Sequence, residues 1–302
     1  MEHHHDHHGD ERMESLKKNR SKLTIVLVIT ITFAVVEVIG GIISNSLALL
    51  SDAGHMVVDS GAIALSLFAV HLSMKPSTPT NTYSLVRMEI VAAFVNGLTL
   101  MALAGYIFYE AVERLGSPPE IKGGVMLAVA VIGMLVNIIA AWILWGASHD
   151  NMNIKGALLH VLGDFAGSVG AVVAAIIVIY TGWTLADPIV SMMIGLLIIR
   201  SSWTLLKESL HVLLEGTPRG LDTEEIIKRI KSIDGVNEIH DFHVWSLTTG
   251  MTLLTAHICV SDPEEGIKVL ESVTKMLEDD FGLSHSTIQI EDSKSGNCRV
   301  KC

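Results

Sequence analysis

From Leu23 onward the chain runs in long apolar stretches broken by short polar ones. Six stretches, at about 24–44, 47–72, 87–113, 122–147, 153–180 and 188–206, each approach the ~20 residues a helix needs to cross ~30 Å of hydrocarbon. Only Ser44-Asn45-Ser46 separates the first two, which predicts a tight helical hairpin. Pro76 and Pro79 break the chain after the second stretch, and Pro118 and Pro119 after the third. Pro188 stands where the sixth helix should start, a position where its missing N–H costs nothing.

After Lys207 the pattern changes. Residues 222–233 read as an amphipathic helix, 236–246 and 251–260 as two strands joined through Gly250, 263–281 as a second helix, and 286–291 as an alternating third strand. The order αββαβ predicts a ferredoxin-like α+β domain. The expected chain is therefore an α-helical membrane protein with six transmembrane helices and a C-terminal α+β ferredoxin-like domain. The expected divisions are a polar tail over 1–22, a membrane domain over 23–206 and a cytoplasmic metal-binding and dimerisation domain over 207–302.

Composition agrees: 50% of residues are hydrophobic, concentrated in the first two thirds. A net charge of −11 argues against nucleic acid as a partner. The cysteines, Cys259, Cys298 and Cys302, are too few for a disulfide framework and suit a reducing compartment. The N-terminal tail gathers His3, His4, His5, His7 and His8 around Asp6, and reads either as a natural metal-gathering tail or as an expression tag. No cleavable signal peptide is expected there. Lys17, Lys18, Arg20 and Lys22 precede the first span, Lys75, Arg87 and Lys155 lie in loops on the same side, and Arg200 and Lys207 end the sixth span. The loops at 45–46 and 181–187 carry no Lys or Arg, and the remaining one has Arg114 and Lys122 at its edges, so both termini are expected in the cytoplasm.

Against this apolar background the second span holds Asp52, His55 and Asp59, and the fifth holds His160 and Asp164. A charge at bilayer depth costs roughly 2.5–3.5 kcal/mol on insertion scales, so such groups need a partner or a task. Residues four apart share one helix face, so each H-x-x-x-D offers an imidazole nitrogen and a carboxylate oxygen side by side. Two such faces opposed make a two-nitrogen, two-oxygen set suited to tetrahedral Zn²⁺. Asp52 reads as a group behind the ligands, an exit-path residue or a solvated carboxylate, and Glu37 as a second functional charge or a hydrogen-bonded helix contact. Gly163 and Gly167 form a small-x-x-x-small pair that lets a neighbouring helix come close. His71, His211 and His243 read as structural.

These features together resemble the cation diffusion facilitators. The stretches SNSLALLSDAGHMVVDS and HVLGDFAGSVG, and the tail's IHDFHVWSLTTG, AHI and HSTIQIE, are similar to that family's zinc-transporting branch over nearly the whole chain. The resemblance implies a homodimeric zinc/proton antiporter, not an enzyme, that exports Zn²⁺ from the cytoplasm across the plasma (inner) membrane. It implies a transport site of His55, Asp59, His160 and Asp164, where histidine at the first position is similar to members that prefer zinc. It implies tail ligands at His240, His257, His285 and Glu291, binding zinc at a dimer interface. Without the resemblance, single histidines in strands read as structural. Cys298-x-x-x-Cys302 reads either as extra thiolate ligands or as free thiols. The chain departs from the family at Tyr83-Ser84-Leu85-Val86-Arg87-Met88-Glu89, where many relatives carry a glycine and a histidine. Arg87 and Glu89 remain and are expected to pair.

Zn²⁺ binds neutral imidazole and ionised carboxylate, so loading such a site expels the protons it holds. Imidazole titrates near pH 6.5 in water, which allows modest pH differences to drive exchange. A zinc sensor and a passive channel are the competing classes. The sequence does not choose among Zn²⁺, Cd²⁺ and Co²⁺, nor does it fix the proton stoichiometry.

Overall fold

The structure, a computed structural model, describes residues 6–145, 152–248, 250–293 and 298, with side chains from Leu23 onward except at 152 and 153. Six long helices come first: α1 (Asp6–Ser44), α2 (Leu47–Ser73), α3 (Met88–Gly116), α4 (Gly123–Trp145), α5 (Met152–Thr181) and α6 (Ala186–Leu213). All six contain stretches long and apolar enough to span a membrane, the first from Leu23. α1 begins at Asp6, inside the segment expected to be a polar tail. His3, His4, His5 and Cys302 lie outside the described residues, and of His7 and His8 only the helical backbone is described.

The chain divides into two compact units, one within Met1–Ala64 and Asn96–Thr204, the other within Leu65–Val95 and Leu205–Cys302. The core of the first unit mixes alanines with large apolar side chains. Phe33 and Ala34 of α1, Leu49 and Met56 of α2, Ala104 and Ile107 of α3, Met126 and Ala130 of α4, Ala171 and Ala175 of α5, and Ile194 of α6 share one buried cluster. A Cβ at Gly133 would stand 2.6 Å from the Phe33 ring, so α1 and α4 meet where no larger residue fits. Val28, Ile42, Tyr109, Trp142, Tyr180 and Leu196 stay exposed, an apolar outer surface of the kind hydrocarbon covers.

In the second unit α7 (Thr223–Lys231) starts at Asp222, whose carboxylate accepts from the N–H groups of Glu224 and Glu225. Then come β1 (Val236–Thr248), β2 (Met251–Val260), a 3₁₀ turn (Pro263–Glu265), α8 (Gly266–Phe281) and β3 (His285–Asp292). Gly282, at φ +67°, ends α8 in the left-handed conformation that glycine adopts at least cost. The sheet order is β1-β2-β3, with β1 and β2 antiparallel and β3 parallel to β2 across the α8 crossover. Leu254, Ala256, Ile258 and Val260 of β2 pack against Ile226, Ile230, Val269, Val273 and Leu277 of the helices. Because strand side chains alternate, Thr255, His257 and Cys259 fall on the opposite face. This is the expected αββαβ domain, with a longer first strand and a second helix shortened by the 3₁₀ turn.

Candidate metal centres

α2 and α5 bring the two H-x-x-x-D pairs face to face. His55 Nε2 lies 3.4 Å from Asp59 Oδ2 on its own helix and 3.9 Å from Asp164 Oδ1 across the gap. His160 Nε2 lies 3.7 Å from Asp164 Oδ2 and 3.3 Å from Asp59 Oδ2. The two rings stand 5.6 Å apart, tilted at 55°. Charge-assisted hydrogen bonds measure about 2.7–2.9 Å, so these four separations are too long for a closed ion-pair cluster. Around a tetrahedral Zn²⁺ with bonds of about 2.0–2.1 Å, donor atoms stand roughly 3.3 Å apart, close to what is found. Donor atoms of His55, Asp59 and His160 all lie within 4.8 Å of one another. Asp164 is 4% exposed and His160 47%, so the site has a dry side and an open side. On the open side a cavity of about 230 Å³ reaches Asp59, His160 and Asp164 between α1, α2 and α5.

Behind the site lies a buried polar cluster. Glu37 of α1 and Asp52 of α2 are hydrogen-bonded to each other and almost fully buried, and Asp52 is also bonded to Ser168 of α5. Asn137 Nδ2 donates to the Ser168 hydroxyl at 3.1 Å. Among the described residues, Glu37 Oε2, Asp52 Oδ2 and His55 Nδ1 have no hydrogen-bond partner. Burial excludes solvation for Asp52 and leaves open both a place behind the ligands and an exit path; Glu37 is a helix contact hydrogen-bonded to Asp52. The close approach falls at Gly167, where a Cβ would stand 3.3 Å from Asp52 Oδ1; Gly163 faces open space, so the expected pair of glycines is a single contact.

Asp187, which the sequence reading passed over, ties the hairpin together. Its carboxylate accepts from the Ser46 hydroxyl at 2.5 Å and from the N–H groups of Leu47 and Ala48 at 2.7 and 3.1 Å. It thereby closes the first turn of α2, whose N–H groups have no helical partner. Arg114 stands 3.9 Å away and donates to the Asn45 carbonyl at 2.8 Å. The available signal was an acidic residue just before Pro188 at a helix start.

On the helix-free face of the tail sheet a second cluster forms. Glu291 accepts from His240 Nε2 at 3.1 Å, and its other oxygen is 2.9 Å from His257 Nδ1. Gln289 Nε2 donates to Glu291 at 2.8 Å. Burial works to raise the Glu291 carboxyl, but the bonds from His240 and Gln289 and the nearby imidazoles hold it below the ordinary value. A bulge between His240 and His243 puts both on the face of His257, although they are three residues apart. Asp241, at φ +51° within that bulge, reaches His243 at 3.0 Å and His257 at 3.7 Å, a contact that sequence spacing gave no means of finding.

Two expectations are corrected here, and a third, the place of His285 in the tail ligand set, is not met within one chain. His285 does not join this cluster within one chain: it pairs with Leu253, six residues or roughly 20 Å along the strand from Glu291, and its ring faces Tyr83 at 6.4 Å. Arg87 pairs with Glu215 at 2.8 Å and not with Glu89, which accepts from Ser73 and Thr248. Cys298 is disulfide-bonded to Cys259, so it stands apart neither as a free thiol nor as part of a Cys298–Cys302 pair.

Comparison with known proteins converges on the same chemistry. Residues 23–214 match the model of the cation efflux transmembrane domain, and residues 218–293 that of the cation efflux protein cytoplasmic domain. The chain is 42% identical over 293 residues to the zinc transporter ZitB of Escherichia coli, covering 96% of this chain and 93% of that one. It is 41% identical over 296 residues to a cadmium, cobalt and zinc/H(+)-K(+) antiporter of Bacillus velezensis, covering 96% and 92%. It is 42% identical over 293 residues to the metal cation efflux system protein CzcD of Cupriavidus metallidurans, covering 96% and 89%. The solved metal-bound C-terminal domain of a CzcD transporter matches 24% of this chain and 99% of that one, at 38% identity and a TM-score of 0.22. Six membrane-length helices, a small α/β tail and similarity along nearly the whole length leave one assignment: the chain belongs to the cation efflux family, as an integral membrane transporter of metal cations and not an enzyme.

Proposed function

We propose that the chain exports Zn²⁺, and with it Cd²⁺ or Co²⁺, from the cytoplasm in exchange for protons, gripping the cation with His55, Asp59, His160 and Asp164. The observation that supports this most is the facing of the two H-x-x-x-D pairs at 3.3–3.9 Å, near the roughly 3.3 Å between donors around one tetrahedral ion, with His55 and His160 facing different oxygens of Asp164. Open to the cytoplasm, the site exchanges its protons for the cation. Open to the other side, incoming protons displace it. A one-unit pH difference supplies about 1.4 kcal/mol per proton. Rocking of α2 and α5 against their neighbours gives each side access in turn.

The tail extends this reading. His240, His257 and Glu291 hold a second cation, at the face where two copies meet as a homodimer in the plasma membrane with both termini cytoplasmic. His285, at the far end of β3, then serves a different part of that face. Zinc flux into proteoliposomes tests the scheme. Flux that needs a pH gradient and vanishes in Asp59→Ala and Asp164→Ala supports it. Binding without flux makes the protein a sensor, and flux indifferent to pH makes it a channel.

A further inference from the structure

The same sheet face carries a second group of metal-competent donors. Cys259 on β2 stands in register with Glu291 on β3, and Cys298 folds over it with the two Cα atoms 6.0 Å apart. Donor atoms of Cys259, Cys298 and Glu291 all lie within 4.8 Å of one another, and all three side chains are buried. Around a tetrahedral ion with metal–sulfur bonds of about 2.3 Å, sulfur donors stand roughly 3.8 Å apart; here the two sulfurs are bonded to each other, so they reach that spacing only after the disulfide is reduced. We propose that Cys259, Cys298 and Glu291 form a second cation site of the tail, sharing Glu291 with the histidine cluster, available only when the cysteines are reduced and suited to a soft divalent ion such as Cd²⁺ or Zn²⁺.

The redox step balances with a low-molecular-weight thiol as reductant. Two such thiols give up two electrons and two protons and leave as their disulfide; the Cys259–Cys298 bond breaks and each sulfur gains a hydrogen. In that state Cys298 Sγ has an acceptor in place, the Asp292 carbonyl at 3.5 Å, to which a disulfide sulfur cannot donate. The entering cation then releases both thiol protons to solvent and offsets the charge of two thiolates beside a buried carboxylate. Soft thiolates distinguish this site from the histidine cluster. The two share Glu291, and the proposal rests on the tail reading through that residue alone.

The test uses the full-length protein in detergent, reduced without air by a phosphine and titrated with Cd²⁺. The readout is the ultraviolet thiolate-to-cadmium charge-transfer band. The reduced protein should show the band rising to saturation, and the oxidised protein none until reductant is added. Cys259→Ser and Cys298→Ser should lose it, while Cys302→Ser keeps it. Should Cys259→Ser fail to fold, the contrast between Cys298→Ser and Cys302→Ser decides alone. No band in the reduced protein, or a band that survives Cys298→Ser or is lost in Cys302→Ser, overturns the proposal. A band that appears while the histidine cluster binds no cation supports this site and counts only against the tail reading.

Discussion

His160 Nε2 on α5 and Asp59 Oδ2 on α2 stand 3.3 Å apart, closer than either stands to its own helix partner. Each helix thus supplies half of a site that neither could form alone. The separation is longer than a charge-assisted hydrogen bond and close to that between two donors around one tetrahedral ion.

The first prediction concerns selectivity. Replacing His55 by a carboxylate turns the donor set from two nitrogens and two oxygens into one nitrogen and three oxygens. Harder cations tolerate oxygen better than Zn²⁺ does. His55→Asp should therefore admit Mn²⁺ into competition with Zn²⁺, measured as Mn²⁺ inhibition of zinc flux in proteoliposomes.

The second concerns the hairpin. Asp187→Ala leaves the Leu47 and Ala48 N–H groups and the Ser46 hydroxyl without their acceptor in a fully buried place. An unsatisfied buried polar group costs about 1–3 kcal/mol, so the variant should unfold at a lower temperature in detergent. Asp187→Asn, which keeps one acceptor oxygen, should recover part of the loss in the same thermal scan.

The third concerns acid. A carboxyl held lower in the folded chain than in the unfolded one contributes stability above the unfolded value, and that contribution disappears as pH falls through the folded value. Glu291 is held below its ordinary 4.5. The metal-free tail should therefore keep this contribution above about pH 4.5 and lose it progressively in stronger acid. Glu291→Gln should flatten that part of the pH–stability curve, measured by denaturant unfolding.

The fourth concerns packing behind the site. A Cβ at Gly167 already meets Asp52 Oδ1 at 3.3 Å, so a branched side chain there must push α2 and α5 apart. Gly167→Val should reduce zinc flux strongly, while Gly163→Ala, facing open space, should leave it nearly unchanged.

What the sequence made legible was whatever depends on local spacing. His55 with Asp59, and His160 with Asp164, follow from four-residue periodicity, and the spans follow from run length. Features that depend on which distant residues meet were not legible. Asp187 reaches the start of α2 from about 140 positions away, and Cys298 reaches Cys259 from 39. Asp241 enters the tail cluster through a bulge that changes the phase of β1, which alternation alone does not reveal. His285 was grouped with Glu291 by the family resemblance, and strand geometry separates them within one chain.

The central claim is that one cation sits between α2 and α5. Its most direct test is zinc X-ray absorption on full-length protein carrying His240→Ala, Glu291→Gln and Cys298→Ser, loaded with one equivalent of Zn²⁺. The account predicts four ligands, two imidazole nitrogens and two oxygens at about 2.0–2.1 Å, with the signal lost on adding Asp164→Ala. A shell containing sulfur, or one that Asp164→Ala leaves unchanged, would contradict it.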